Sequence, residues 1–150
     1  MANKKKLLGM LVMALVFGMT VVGCGSLFSR TPKSFVKGSG GETMILLRQG
    51  LSFDQAFREV IFILSRHGFE PEMMQPEAGY IRTRWNTTWV SGKTGGEYRV
   101  RILINFNPSR TQLIVSAPAE YSTGGDKWVV GYDTKAIEIL RTDLTQSIGN

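Results

Sequence analysis

The 150-residue chain is poor in the side chains that metals and nucleophilic catalysis require, with one cysteine, Cys24, and one histidine, His67. A lone cysteine rules out a disulfide within the chain, so the folded part must stand on its apolar core. A lone histidine rules out a multi-histidine metal centre, and no nucleophile has a histidine partner in view. Neither a GxGxxG nor a P-loop pattern occurs, and the pairs Gly95-Gly96 and Gly124-Gly125 suit turns better than phosphates. The acidic residues are scattered, so which carboxylates converge stays open at this level. No internal repeat is present. The composition therefore predicts no metal, no cofactor and no enzyme. His67, beside Gly68 at the expected end of a helix, is read as a cap for free carbonyls, not as an acid or base.

Long apolar runs are also scarce. The one that exists spans residues 7–22 and follows Lys4, Lys5 and Lys6. At about 1.5 Å per residue it reaches roughly 24 Å, short of the roughly 30 Å hydrocarbon core of a bilayer. A basic start and a short apolar run have the layout of a secretory signal. Removing those three lysines from 18 basic residues leaves 15 against 12 acidic ones, so the formal charge of +6 falls to about +3. Much of the apparent basicity belongs to the leader, which argues against nucleic acid as a partner.

The run ends in Val21-Val22-Gly23-Cys24, which resembles the lipobox of bacterial lipoproteins: two aliphatic positions, a small residue, then the cysteine to be acylated. A thiol is nucleophilic enough to take a diacylglyceryl group as a thioether, and a small residue before it admits the peptidase between Gly23 and Cys24. The resemblance implies a signal peptide at 1–23, a lipidated Cys24 and a lipid bilayer as partner. One acyl chain binds a membrane only marginally, whereas two or three on one residue hold it firmly. Gly25 stands where an aspartate would retain an enteric lipoprotein in the inner membrane, so the resemblance implies the outer membrane, facing the periplasm.

Residues 24–41 are rich in Gly, Ser and basic side chains and read as a flexible tether. Arg30, Lys33 and Lys37 either rest on anionic headgroups or are simply solvated. Residues 42–150 suit a single domain. Residues 43–48 form a short apolar run and read as a strand. A helix then opens at Ser52, with Gln55 at capping-box spacing, and carries Phe53, Phe57, Val60, Ile61 and Leu64 in one stripe. Gly68 ends it. Phe62 falls off that stripe. Residues 68–74 read as an edge strand because Pro71 has no donor. Residues 80–89 and 98–106 alternate in polarity, residues 112–117 return after a turn at 107–110, and 128–132 add a brief strand. Residues 121–127 read as a loop. Placing Phe106 opposite Thr111 and Ile104 opposite Leu113 keeps the apolar side chains on one face. Asp133 caps a last helix whose buried stripe is Ile137, Leu140, Leu144 and Ile148.

The predicted order β-α-β-β-β-β-α is an α+β two-layer sandwich, with an antiparallel sheet of about five strands and two helices on one face. With the closing helix and the lipobox, this order resembles the helix-grip domain of the C-subunit lipoprotein of the bacterial β-barrel assembly machinery, although that family has two domains where this chain has one. The resemblance implies a non-catalytic interaction module with an envelope protein as partner, accessory to outer-membrane assembly or integrity. The alternative is a carrier or sensor holding an anionic amphiphile or glycan ligand between the last helix and the sheet.

The candidate site is a cluster of Arg82, Arg84, Arg99 and Arg101 on adjacent strands, with Arg84 expected opposite Arg101 in the register that buries Trp85 against Val100. Like charges placed opposite one another cost stability unless an acid or a ligand intervenes. Two readings stay open: a solvated sheet face balanced by glutamates such as Glu97 or Glu120, and an anion- or partner-binding surface. The lipid reading makes its own prediction. Metabolic labelling with an alkyne fatty acid marks the wild-type chain and not Cys24→Ser; equal labelling of both would overturn it.

Overall fold

The computed structural model describes residues 31–89, 97–122, 124–125 and 127–150, so Gly23 and Cys24 lie outside the described residues. Among the described residues, nine strands and two helices follow in the order β1 (Phe35–Lys37), β2 (Glu42–Leu46), α1 (Phe53–Arg66), β3 (Pro71–Gln75), β4 (Tyr80–Thr83), β5 (Glu97–Val100), β6 (Leu103–Phe106), β7 (Gln112–Ser116), β8 (Pro118–Ser122), β9 (Val129–Asp133) and α2 (Thr134–Ile148). All pairings are antiparallel, in a five-stranded sheet of order β2-β7-β6-β4-β3 and a four-stranded sheet of order β1-β9-β8-β5. The class is α+β, as expected, with both helices packed on each other and on the five-stranded sheet. The second sheet is the addition.

Both helices start where the sequence places them. Ser52 and Gln55 close a capping box on α1: the Ser52 hydroxyl accepts from Gln55 N, and the Gln55 side chain accepts from Ser52 N. Gly68, at φ 76°, lets the chain leave α1 in the left-handed region. The α1 stripe buries Phe57, Val60, Ile63 and Leu64, and α2 buries Leu140, Leu144 and Ile148. Phe62 stays 60% exposed, with the Arg66 guanidinium 6.0 Å from its ring. His67 Nε2 lies 2.7 Å from Asp143 Oδ2, and Arg66 donates to the same oxygen at 2.6 Å, so the two residues tie the end of α1 to α2. The hydrogen bond from His67, then Arg66, holds the Asp143 carboxyl below the usual carboxylate range.

The long strand expected at 98–106 is broken by a change of sheet, and the strand expected at 112–117 ends at another such change. Residues 97–100 pair with β8, whereas 103–106 pair with β4 and β7, so the chain crosses at Arg101 and Ile102. Its partner crosses at Ala117, and residues 118–122 continue as β8 where a loop from 121 was expected. The crossing keeps its hydrogen bonds. Arg101 N donates to Pro118 O, Ile102 N to the Thr83 hydroxyl, and Thr83 N to Ile102 O. Because those polar groups remain paired, the bend avoids the cost of buried unpaired donors.

The hairpin register also differs from expectation, by two residues. Phe106 lies opposite Leu113 and Ile104 opposite Val115, because the Asn107 side-chain oxygen accepts from Thr111 N and Gln112 N and so draws those two residues into the connection ahead of Leu113. A two-residue slip leaves every side chain on the face the pattern assigns to it, which is why periodicity cannot detect it.

The tether boundary moves as well. Instead of a flexible segment to residue 41, the folded part is already in place at Pro32, which is buried, and β1 runs along β9. Phe35 packs edge-on to Tyr98 at a centroid distance of 6.0 Å. Gly131 makes that docking possible: a Cβ there would fall 2.2 Å from Val36 O and 2.7 Å from the Phe35 ring. Two apolar residues, Phe35 and Val36, in a Gly/Ser-rich stretch are too few to show a period, so the sequence hides the strand.

Asp133 closes this end of the molecule. Fully buried, it accepts from Ala136 N at 2.7 Å as the cap of α2, from the Ser34 hydroxyl at 2.7 Å and from the Tyr98 hydroxyl at 2.6 Å. Burial, with the neighbouring Asp133 carboxylate, pushes the Tyr98 phenol well above its ordinary value. Asp133→Ala removes the cap, worth about 1 kcal/mol, and leaves a buried hydroxyl unpaired, at about 1–3 kcal/mol. A total loss of about 2–4 kcal/mol is expected in urea unfolding, against about 1 kcal/mol for Tyr98→Phe. The double variant should lose less than the sum of the two, and strict additivity would show that the pair is not coupled.

Candidate functional site

Strand alternation decides where the four arginines go. On β5, Tyr98 and Val100 point into the core, so Arg99 points to the other side, followed by Arg101 at the crossing. The register Arg99↔Glu120 sets a carboxylate directly across from the first guanidinium. Arg99 Nε and Nη2 both donate to Glu120 Oε2, at 2.8 and 2.6 Å. Its guanidinium carbon also lies 4.7 Å from the Trp85 ring centroid and 4.3 Å from that of Trp128. Arg101 sits over Trp85 at 4.4 Å, with Nε buried and without a hydrogen-bond partner among the described residues. Arg99 and Arg101 are thus packed against indole rings, each contact of a kind worth about 0.5–2 kcal/mol depending on desolvation.

The other two arginines part from this pair. On β4, Arg82 Nε is 3.3 Å from Glu72 Oε2, an ion pair whose geometry falls short of a hydrogen bond. Arg84 does not face Arg101 as expected. Its N–H donates to Glu70 O, and Asn86 takes the place expected for Trp85, exchanging both backbone hydrogen bonds with Val100. Asn86 is held there by its own side chain, which donates to Gly68 O and accepts from Thr88 N. The like-charge clash inferred from sequence is therefore resolved by a register shift and by Glu120. Arg84 is exposed and makes no side-chain hydrogen bond or ion pair among the described residues. It borders an open hollow of about 220 Å³ with Gly68, Glu70, Trp85, Asn86, Thr87 and Thr88.

Sequence reasoning missed the two tryptophans as platforms. The spacing places Trp85 on the buried face and Trp128 in a brief strand, 43 positions further on, and only the pairing of β9 with β8, and of β8 with β5, brings Trp128 to Arg99. Two other surfaces went unseen. Away from the helices, the five-stranded sheet exposes Met44 at 58% and Leu46 at 53%, with half-buried Met73, Tyr80, Leu103 and Ile114. A second hollow, of about 360 Å³, opens between Gly41–Thr43, Tyr132 and the Ile137, Glu138 and Arg141 side of α2.

The expected chemistry follows the same pattern. His67 is engaged by Asp143, at the end of α1 as expected but through a side chain in another helix. Among the described residues, no group of three or more His, Cys, Asp or Glu is placed to hold a metal ion. Among them, too, no helix is long and apolar enough to cross a membrane. No protein-family model matches the chain, and no curated protein matches its sequence.

Arg101 and Arg84 differ sharply in what they support. Arg101→Ser should destabilise the fold by about 0.5–2 kcal/mol, by loss of the guanidinium over Trp85. Arg84→Ser should stay within about 0.5 kcal/mol of wild type. Urea denaturation followed by tryptophan emission measures both, and equal effects would contradict the assigned geometry.

Proposed function

We propose that the chain is a membrane-anchored, non-catalytic lipoprotein of the bacterial cell envelope whose folded part is a protein-interaction module, accessory to outer-membrane assembly or integrity. The lipobox-like Val21-Val22-Gly23-Cys24 supports the anchor, through an acylated Cys24, and Gly25 in place of a retaining aspartate supports an outer-membrane site facing the periplasm. The observation that carries the interaction role is the open face of the five-stranded sheet. Helices cover its other side, yet Met44 and Leu46 are more than half exposed on it, next to Ile114. Exposed apolar side chains gathered on one sheet face are a surface that a partner covers more readily than water does. Arg82, beside that face, and the unengaged Arg84 supply cations at its margin for an acidic group of the partner.

The carrier reading, with an anionic amphiphile or glycan between the last helix and the sheet, asks for space there. Leu140, Leu144 and Ile148 fill that layer together with Ile45, Leu113 and Val115, all buried. The hollow beside α2 is open, and its Arg141 is accompanied by Glu42 and Glu138, so the support for a bound anion is weaker.

Site-specific photo-crosslinking in the native envelope tests the interaction role. A photoreactive amino acid at Met44 or Leu46 should yield a discrete protein adduct, and one at Arg58, exposed on α1, should not. Absence of adducts at Met44 and Leu46, or the same adducts from Arg58, would sink the proposal.

A further inference from the structure

We infer that the four-stranded sheet lays its outer face on the anionic phospholipid surface from which the chain is tethered. This rests on the lipid anchor proposed above and adds an orientation to it. The first support is where the tether ends. Only residues 25–30 separate Cys24 from Thr31, and six residues fully extended reach about 20 Å. As a flexible coil they span roughly 12–15 Å. They lead directly into β1, which is an edge strand of the four-stranded sheet and not of the five-stranded one. An acylated Cys24 therefore holds that sheet, by its edge, next to the bilayer.

The second support is the chemistry of the face. The registers Val36↔Tyr132, Tyr132↔Pro118, Val130↔Glu120 and Glu120↔Arg99 place these side chains on one side, opposite Phe35, Tyr98, Tyr121 and Asp133, which point into the core. Val130 is 61% and Val36 38% exposed. Trp128 and Trp85 join them through the guanidinium of Arg99. Valines to enter the acyl boundary, indole and phenol rings for the interfacial zone, and guanidinium groups at headgroup level are the side chains that a bilayer interface favours. Charge has the matching sign. Exposed Lys33, Lys37 and Lys127 border this sheet, and Arg101 has no carboxylate partner among the described residues, whereas Glu120 is taken up by Arg99, leaving Glu97 as the exposed acid on β5. Cations this close to anionic headgroups are attracted to them. The five-stranded sheet, by contrast, does not contain the strand that the tether enters, and its open face is left to a protein.

The test uses the full lipidated chain in phosphatidylglycerol–phosphatidylethanolamine vesicles, with and without bromine on the acyl chains. Bromine should lower the tryptophan emission of the wild type, and Trp128→Phe should abolish most of that loss. A nitroxide attached at Val130→Cys should be more accessible to oxygen than to a water-soluble nickel complex, and one at Met44→Cys the reverse. A chain that floats with the vesicles but shows no bromine effect, or reports Met44 and not Val130 in lipid, overturns the orientation while leaving the anchor intact. A chain that fails to float overturns the anchor, and the orientation with it. Equal quenching in neutral phosphatidylcholine vesicles would remove the role assigned to headgroup charge.

Discussion

A single buried carboxylate holds three parts of this molecule in place. Asp133 ends β9, caps α2 and receives hydroxyls from the segment before β1 and from β5. A buried charge is tolerable only when its lone pairs are filled, and here each donor comes from a different stretch of chain. The arrangement therefore makes the start of the last helix, the first strand and an edge strand mutually dependent. Without Ser34 and Tyr98 around it, the cap would carry an under-solvated charge. Without Asp133, the segment before β1 would lose the acceptor that holds Ser34 in place.

The second constraint is the crossing of two long strands from one sheet to the other. It separates side chains that are neighbours in sequence: Arg101 belongs with the four-stranded sheet and Leu103 with the five-stranded one. Thr83, otherwise an odd polar residue to find fully buried, takes up the amide of Ile102 at the bend. Two outer faces of different character result. One is apolar and open beside paired or solvated cations. The other interleaves arginine with tryptophan and valine. The membrane-facing and protein-facing roles proposed above would draw on this division, which the bend provides within one fold.

The Arg–Trp packing shows how a charged surface becomes a defined one. A guanidinium lying flat on an indole loses side-chain freedom and presents a fixed edge, whereas solvated arginines such as Arg84 sample many positions. Glu120 completes the fixation of Arg99 while removing one net charge from the face. What remains is amphipathic more than strongly basic.

The legible part of the fold was the part encoded locally. Ser52 with Gln55, Gly68, and Asp133 at the head of the last apolar stripe act within one helical turn, so residue type and spacing determined both helices. Alternation assigned the faces of the strands for the same reason, and Arg99 and Arg101 could be placed on an outer face from their parity alone. Register, sheet membership and the strand at Phe35–Lys37 depend on contacts between distant segments. A two-residue slip leaves alternation untouched, a bend leaves no periodic trace, and β1 exists because Gly131 admits it. The meeting of Trp128 with Arg99 belongs to the same class. Local rules thus determined which side chains face outward, Trp85 excepted, and only tertiary structure decided which of them meet, because pairing energies between remote residues leave no mark on the spacing within either one.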